Sequence, residues 1–495
     1  MQTKETFLKS NVKMYVCGPT TYDHSHIGHA HTYITVDIFN RVMNSIMNLK
    51  TYLVLNITDI DDKILKKAHE SGTDWKLVSN TYERSYFESM SKLNVRLPNV
   101  IIKVSDTLPQ IIKYIQKIID NGFAYVTSDG SVYFDSAAYV ENGYLFSDLV
   151  DEDETVYQTE LSPLIILQKK NKKDFALWKG RTKREVGFDA EFEYKGEKIV
   201  SWGRPGWHIE CSSMIHETIG PDLDIHFGGI DLKFPHHYNE RLQAHAFYHP
   251  KFKPNLNQTS EWSSNFYHIG HLCISGLKMS KSLKNFTTID DCLKSVSPNE
   301  LRWMFISHKW SDSMDFSDNT IKGAKFFDEK IINFFNKIVN YPFQKEFSMY
   351  TYLEFGFNNY FDEAKDKIIE ELTSFKFDLA VNNLFELVNK TNSYIDSTHV
   401  NELLARKVYD WILFLVDKLG FVYQKNSDNS ITDVMDVLVK TRNSLRTLAR
   451  EIPKETKQIK QKLFEVLDKE RNILLPAIGI TLHDLKDSSS WFKNN

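Results

Sequence analysis

Apolar residues near the start of the chain follow two different periods. Short apolar runs at 13–17 and 52–57 have the length and composition of buried strands, whereas Ile34, Ile38 and Val42 recur every four residues. A repeat close to 3.6 residues is typical of one helix face. Strand, helix and strand in this order predict a βαβ unit, and such units build parallel sheets that bind ligands at the carboxyl ends of their strands.

The pattern changes twice further along the chain. A helical stretch at 108–119 is followed by short strand-like pieces such as 130–134, which indicates an inserted domain. From about residue 315 the chain is strongly helical. We therefore expect an α/β fold in which a Rossmann-like parallel-sheet domain carries an inserted domain and is followed by a helical bundle and a small C-terminal domain. The expected ranges are 1–94 and 206–314 for the parallel-sheet domain, 95–205 for the insertion, 315–400 for the bundle and 401–495 for the C-terminal region.

Composition places the chain among globular proteins and argues against a membrane protein. Of its 495 residues, 42% are hydrophobic and 25% charged, and no apolar run approaches the roughly 18 to 20 residues of a spanning helix. The polar N-terminus does not resemble a signal peptide, so we expect a cytoplasmic protein. Four cysteines in so long a chain argue against a disulfide framework and leave metal binding, nucleophile or buried thiol as their roles. The net charge of −4 neither suggests nor excludes a nucleic-acid partner, because a local basic surface decides that.

The tetrapeptide His-Ile-Gly-His occurs twice, at 26–29 and at 268–271. The first copy follows a strand and a Gly-Pro turn and opens a predicted helix, where backbone N–H groups and the helix dipole favour phosphate. There Gly28 would let a ligand approach, and His26 and His29 could donate hydrogen bonds to phosphate oxygens. The second copy lies in an apolar, strand-like run, so we expect it to be coincidental. A hydrogen-bonded histidine cluster without function remains the alternative for either copy.

Two further stretches carry candidate chemistry. Lys278 and Lys281 lie on a small-residue loop and could stabilise a departing pyrophosphate, although a solvated loop is the simpler alternative. Cys211 precedes a segment in which Pro235 is expected to start a helix, so that His236 and Glu240, four positions apart, share one face. With Cys17 at the end of the first strand, these residues would form a zinc site. Buried thiols and a helix-surface pair remain possible alternatives.

The HIGH and KMSKS stretches (26–29 and 278–282), in this order, resemble the two signatures of class I aminoacyl-tRNA synthetases. The resemblance becomes specific over 11–310, where segments similar to the cysteinyl-tRNA synthetase family follow one another in order. They are MYVCGPTTYDHSHIGH, NITDIDDKI, DFALWK, GRPGWHIECSSM, GGIDLKFPHHYNE and GLKMSKS. The resemblance implies a zinc ion held by Cys17, Cys211, His236 and Glu240, which agrees with the assignment from the residues themselves.

The resemblance also implies an activity and its partners. Cysteine would be activated by Mg²⁺-ATP to cysteinyl-adenylate and transferred to the 3′ end of tRNA(Cys), with zinc selecting the thiolate. Gly18, Thr58 and Trp207 match positions that line the amino-acid pocket, and His226 is a weaker candidate near the nucleotide or the cysteine. We expect a monomer without membrane association. A cysteine:amino-sugar ligase of the mycothiol type is the alternative, but it would not need a long C-terminal region.

The region from 315 onward resembles the family only in part. Its implied roles are a tRNA-binding helical bundle at 315–400 and an anticodon-binding region at 401–495. Arg442, Arg446 and Arg450 fall at i, i+4 and i+8, so one helix face could meet RNA phosphates. A solvated face is an equal alternative.

Overall fold

The computed structural model of the chain falls into two compact units, Met1–Val422 and Tyr423–Asn495. Each is described by itself. The residues that the structure describes are 10–144, 169–249, 262–274, 276–278, 286–341, 343, 350–396, 400–423, 429–451, 457–469, 471–472, 475, 480–484 and 489–493.

Strands and helices alternate in the first half of the chain, and helices dominate the second. In chain order the strands are β1 (Asn11–Val16), β2 (Lys50–Ile57), β3 (Val100–Lys103), β4 (Ala124–Val126), β5 (Val132–Phe134), β6 (Ala176–Gly180), β7 (Phe188–Tyr194), β8 (Glu197–Pro205), β9 (Leu223–Gly229), β10 (Ser263–Ile269), β11 (Leu272–Ile274), β12 (Leu277–Lys278), β13 (Met314–Asp315), β14 (Ile480–Asp484) and β15 (Ser489–Lys493). The helices are α1 (Ile27–Arg41), α2 (Asp62–Ser71), α3 (Trp75–Lys92), α4 (Leu108–Asp120), α5 (Ser136–Glu141), α6 (Trp207–Thr218), α7 (Tyr238–Phe247), α8 (Ile289–Cys292), α9 (Pro298–Ile306), α10 (Asp318–Val339), α11 (Tyr352–Thr373), α12 (Phe377–Ile395), α13 (Glu402–Lys418), α14 (Asn429–Glu451) and α15 (Lys457–Lys469).

The central sheet has five parallel strands in the order β10-β9-β1-β2-β3. The predicted βαβ unit is confirmed as β1, α1 and β2, with Met14 opposite Leu53 in the parallel register. Helix α1 buries Ile34 and Ile38, two members of the four-residue repeat that predicted it. Since all five strands run the same way, their carboxyl ends meet along one edge, where ligands of such sheets bind.

A second sheet, antiparallel throughout, has the order β4-β5-β6-β8-β7, and its strands lie within the range 95–205 that we assigned to the insertion. It shares one hydrophobic core with the parallel sheet, because Phe134 and Trp178 pack in the same cluster as Tyr15 and Ile209. Strand β3 lies within the range that we assigned to the insertion, yet it pairs with β2 at the edge of the parallel sheet. The inserted sheet is therefore packed directly against the elements that carry the candidate site.

Helices α10 to α13 pack on one another after the parallel sheet ends. Helix α13 lies in the range that we assigned to the C-terminal region, although it packs within the first unit. In the second unit, α14 contacts α15 and β15, and β14 pairs antiparallel with β15. Arg442 is buried there and donates a hydrogen bond to the carbonyl of Leu467. The prediction that Arg442 belongs to an exposed face able to meet phosphates is therefore wrong, because its guanidinium is buried and links α14 to α15 through this hydrogen bond.

A buried charge cluster joins four stretches of the first unit that are distant in sequence. Asp37 of α1 accepts hydrogen bonds of 2.7 Å from both Arg41 and Arg302, and Arg302 of α9 is 1% exposed. Arg302 also donates to the carbonyl of Leu419, just beyond α13, at 3.1 Å. Further guanidinium hydrogen bonds reach the carbonyl of Asn94. One carboxylate and several carbonyl oxygens thus compensate two desolvated cations, which makes the cluster acceptable inside the protein.

Among the helices in the described part of the chain, none combines the length and the apolar character needed to cross a bilayer.

Candidate active site

Four potential metal ligands converge at the carboxyl edge of the parallel sheet. Cys17 directly follows β1, Cys211 lies in α6, His236 lies in the turn that precedes α7, and Glu240 lies in the first turn of α7. All four are buried, and one donor atom from each lies within 4.8 Å of every other. Residues more than 200 positions apart therefore meet at one point, as the sequence interpretation requires.

The donor geometry fits a tetrahedral ion. Two sulfurs bound to the same zinc at about 2.3 Å would lie about 3.8 Å apart, and the Sγ atoms of Cys17 and Cys211 are 3.9 Å apart. Nε2 of His236 lies 2.9 Å from the buried Oε1 of Glu240, so the imidazole and the carboxylate are adjacent. Two thiols, an imidazole and a carboxylate form a donor set that suits Zn²⁺.

The protonation of these groups also suits a cation. Burial raises the pKa of Cys17. Burial acts in the same direction on Cys211, but the hydrogen bond to Cys17 and the charge of His236 outweigh it and lower the pKa of Cys211 to about 6. Despite burial, Glu240 and Cys211 raise the pKa of His236 to about 10, whereas His226 and His236 lower the pKa of Glu240 to about 2. Without metal, the proton on His236 balances buried negative charge, and a bound cation would take over that role.

A second set of potential metal donors shares Cys17 and Glu240 with the first. Cys17, His226, His237 and Glu240 also bring their donor atoms within 4.8 Å of one another. His226 contacts Glu240 Oε2 at 2.9 Å through Nε2, and Nε2 of His237 lies 3.4 Å from the Cys17 sulfur. Neither His226 nor His237 lines the adjacent cleft, whereas Cys17, Cys211 and His236 do. The first set therefore has three members on the cleft wall and the second only Cys17, and His226, which we expected near the nucleotide or the cysteine, instead contacts Glu240.

The cleft beside the metal ligands has a volume of about 450 Å³. The Trp207 ring stacks on His236, with centroids 4.4 Å apart and an angle of 22° between the rings. Six of the expected substrate-binding and phosphate-binding residues lie along the wall, namely Gly18, Thr58, Trp207, His26, Gly28 and His29. The cleft thus extends from Cys17, Cys211 and His236 to the start of α1.

The first HIGH segment (26–29) surrounds the N-terminus of α1, with His26 at the N-cap. The backbone N–H of His26 donates to Nδ1 of His29 at 3.1 Å. Because Nδ1 accepts, a neutral His29 carries its proton on Nε2, which can donate to a ligand. At Gly28 a Cβ atom would lie 2.8 Å from the His26 ring, so only glycine leaves the ring in place. The segment combines imidazole donors with the positive end of a helix.

The second HIGH segment (268–271), whose role we expect to be coincidental, nevertheless lies beside the site. Nε2 of His268, in β10, lies 2.9 Å from Nδ1 of His237, and His271 lines the cleft just after β10 ends. Sequence analysis missed this because the segment has no helix start. A signal was present, since the residues directly after a parallel strand lie at the ligand-binding edge.

The KMSKS segment (278–282) is described only at its start. The backbone of Lys278 belongs to β12, opposite Cys273 of β11, and Lys281 lies outside the described residues. The chain after the segment returns to the first HIGH segment, because Ile27 N–H donates to the Thr287 carbonyl at 3.0 Å. The residues flanking KMSKS on the carboxyl side therefore contact the start of α1.

Gly18 is predicted to be irreplaceable for steric reasons. A Cβ atom at this position would lie 1.5 Å from the carbonyl oxygen of Asn56, so Gly18→Ala must push β1 and β2 apart where both end. We expect a loss of stability of about 1–3 kcal/mol, in line with overpacking, measured by urea unfolding, and a fall in activity. Gly323→Ala is the control, because a Cβ atom there meets no atom within 4 Å. Equal stability of the two variants would contradict this account.

Comparison with known proteins agrees with this geometry. The family model for the class I (C) tRNA synthetase catalytic domain matches residues 3–326. The chain is 48% identical to the cysteine–tRNA ligase of Acanthamoeba polyphaga mimivirus, over 100% of this chain and 98% of that protein. It is 35% identical to the cytoplasmic cysteine–tRNA ligase of Dictyostelium discoideum, over 97% and 73% of the two chains.

Solved structures with similar folds have little sequence identity to the chain. Methionyl-tRNA synthetase of Mycobacterium tuberculosis in complex with methionyl-adenylate superposes with a TM-score of 0.58 at 11% identity, over 83% of this chain and 90% of that one. LeuRS of Agrobacterium radiobacter, in a ternary complex with tRNA and LeuAMS, gives 0.61 at 10% identity, over 84% of each chain. These likenesses confirm the predicted fold class. Together with the family model and the 48% identical relative, they establish that the chain belongs to the cysteine–tRNA ligase family of class I aminoacyl-tRNA synthetases.

Proposed function

We propose that the protein is a cysteine–tRNA ligase, which activates L-cysteine with ATP and transfers it to the 3′ end of tRNA(Cys). The observation that carries this proposal is the buried Cys17, Cys211, His236 and Glu240 set at one end of a cleft whose wall also contains the first HIGH segment. That cleft has a place for a thiol and a place for phosphates. The relatives named cysteine–tRNA ligase support the same activity. A cytoplasmic location is part of the proposal and fits the cytoplasmic relative.

In the activation step, a carboxylate oxygen of cysteine attacks the α-phosphorus of Mg²⁺-ATP, and the bond to pyrophosphate breaks. The imidazoles of His26 and His29 and the N-terminus of α1 would stabilise the charge that develops on the phosphate oxygens. Nε2 of His29 is suited to donate, because its Nδ1 already accepts a backbone hydrogen bond. Lys278 and Lys281 are proposed to stabilise the departing pyrophosphate. In the transfer step, a terminal ribose hydroxyl of the tRNA takes the acyl group from the adenylate.

Zinc bound by Cys17, Cys211, His236 and Glu240 would supply a soft Lewis acid for the substrate thiolate. A purely apolar or steric pocket distinguishes near-isosteres such as cysteine and serine by only about 1–3 kcal/mol. Thiolates are good zinc ligands, whereas a serine hydroxyl is a poor one. The donor set thereby accounts for selection of cysteine without a separate editing reaction.

The test is ATP–pyrophosphate exchange, measured with cysteine and with serine. Exchange that depends on cysteine supports the activation step, and its absence from folded protein would refute the proposal. Transfer is then measured with a tRNA(Cys) transcript and with an amino sugar as competing acceptors. Charging of the amino sugar instead of the tRNA would indicate a ligase of the mycothiol type.

Loss of Lys281 is predicted to affect the transition state more than substrate binding. Lys281→Ala should slow adenylate formation roughly ten- to a hundredfold, the effect of losing one hydrogen bond to a charged group. The Kd for cysteine should stay nearly unchanged. Pre-steady-state adenylate formation and equilibrium binding of cysteine measure the two quantities. Lys294→Ala is the control, because Lys294 is exposed and pairs with Asp291. Equal losses in both quantities would refute this role for Lys281.

A further inference from the structure

The cleft has a third wall that neither the metal ligands nor the first HIGH segment explains. Lys63 lies in the first turn of α2, just beyond β2, and its exposed side chain lines the cleft. Tyr22, in the connection after β1, lines the same wall. The Lys63 ammonium lies over the Tyr22 ring, 5.7 Å from its centroid. The two side chains therefore lie beside each other on one wall of the cleft, within the range of a cation–π contact.

Carboxylates next to Lys63 in the sequence are engaged elsewhere. Oδ1 of Asp61 accepts a hydrogen bond of 2.8 Å from the backbone N–H of Lys63. Asp62 pairs with Arg204 and, at 3.7 Å, with Lys179, both from the inserted sheet. Within the described part of the chain, no carboxylate forms an ion pair with Lys63. Its charge is therefore available to an anion that enters the cleft.

The strand order separates this wall from the part of the cleft where pyrophosphate is proposed to depart, beside the KMSKS segment. Strands β9 and β10 lie on one side of β1, and β2, which precedes Lys63, lies on the other. The KMSKS segment follows β10 and β11, and the chain after it returns to the start of α1. Lys63 therefore lies on the opposite side of β1, where Asp62 contacts the inserted sheet. A second anionic group, distinct from the departing pyrophosphate, is the ligand that this position fits.

We propose that Lys63 binds a backbone phosphate of the 3′-terminal nucleotides of the tRNA during the transfer step, and that Tyr22 positions its ammonium. This inference rests on the proposed ligase function. The 3′ end must reach the adenylate carbonyl in the cleft, and Lys63 offers a positive charge on the β2 side of that cleft. A positive charge beside an aromatic ring is a usual means of holding single-stranded nucleic acid.

The experiment separates transfer from activation in Lys63→Ala. We expect the rate of single-turnover transfer from cysteinyl-adenylate to tRNA(Cys), relative to the exchange rate, to fall about tenfold, the effect of losing one charge-assisted hydrogen bond. The slope of log binding constant against log salt concentration should become shallower by about 0.7, as for one phosphate contact on a single strand. Lys63→Arg should recover most of both quantities, and Tyr22→Ala should share the transfer defect.

Lys66→Ala is the matched control, because Lys66 lies one turn further along α2 with its side chain 77% exposed, and it should behave like the wild type. If exchange falls as much as transfer in folded Lys63→Ala protein, Lys63 acts in activation and the inference is wrong. An unchanged transfer rate or salt slope also overturns it. Lys63→Gln provides a second neutral variant should the alanine variant unfold. Failure of the ligase proposal itself would be visible separately, as wild-type protein that shows no cysteine-dependent exchange or does not charge tRNA.

Discussion

Cys211→Ala is expected to release the bound zinc and to reduce cysteine-dependent exchange to background. The substitution removes one of four donors that converge within 4.8 Å. Loss of a residue that only hydrogen-bonds to a metal ligand lowers metal affinity about 10- to 100-fold. Loss of a ligand itself should lower the affinity further. Zinc content by elemental analysis, measured beside exchange and thermal stability, tests this. Wild-type protein should hold one zinc per chain.

Cys292→Ala is the matched control, because Cys292 is also a buried thiol but lies in α8, outside both donor sets. It should retain zinc and activity. Full zinc retention in Cys211→Ala would refute the site.

Variants of the neighbouring residues His236 and His237 distinguish the two donor sets. If His237→Ala lost zinc while His236→Ala kept it, the ion would occupy the set that lies behind the cleft.

His29→Ala should lower the rate of cysteine activation about 100- to 1000-fold, as expected for the loss of a preorganised donor to developing charge. The imidazole lies at the N-terminus of α1 with Nδ1 accepting from His26, so the variant removes both the donor and the ring that keeps His26 oriented. Exchange at saturating cysteine and ATP is the appropriate measurement.

His24→Ala controls for histidine loss in the same segment. His24 is exposed, contacts Ser85 Oγ at 2.8 Å and does not line the cleft, so its removal should change the rate little.

His271→Ala should lower the activation rate less than His29→Ala does. His271 also lines the cleft, but it has no helix N-terminus beside it. A greater loss in well-folded His271→Ala protein would show that the second HIGH segment has the larger catalytic role.

Local patterns predicted the elements of the catalytic sheet well. The periods of the apolar residues defined β1, α1 and β2, and the Gly-Pro turn before the first HIGH segment placed its histidines at a helix start. Such features depend on residues a few positions apart, which sequence displays directly. The pairing of Cys17 with Cys211 is different, because no local pattern relates residues 194 positions apart. There the donor types suggested a shared metal site, and the family resemblance implied the same four ligands.

Features that depend on the order of strands were missed. The second HIGH segment was interpreted as coincidence, yet β10 lies beside β9 and brings His268 to His237. Lys63 also went unnoticed, because its place in the cleft follows from the parallel pairing of β1 with β2. Arg442 shows the reverse error. Spacing put it on a helix face, but spacing does not say whether that face meets solvent or another helix.

The buried cluster of Asp37, Arg41 and Arg302 limits how the protein can be dissected. A fragment that ends with the parallel sheet, near residue 314, would retain both arginines but lose the Leu419 carbonyl that accepts from Arg302. It would also lose Val422, which exchanges two hydrogen bonds of 3.0 Å with Asn299. The smallest autonomous activation fragment therefore includes the helical bundle through Val422, and truncation at the apparent end of the catalytic domain would open its interior to water.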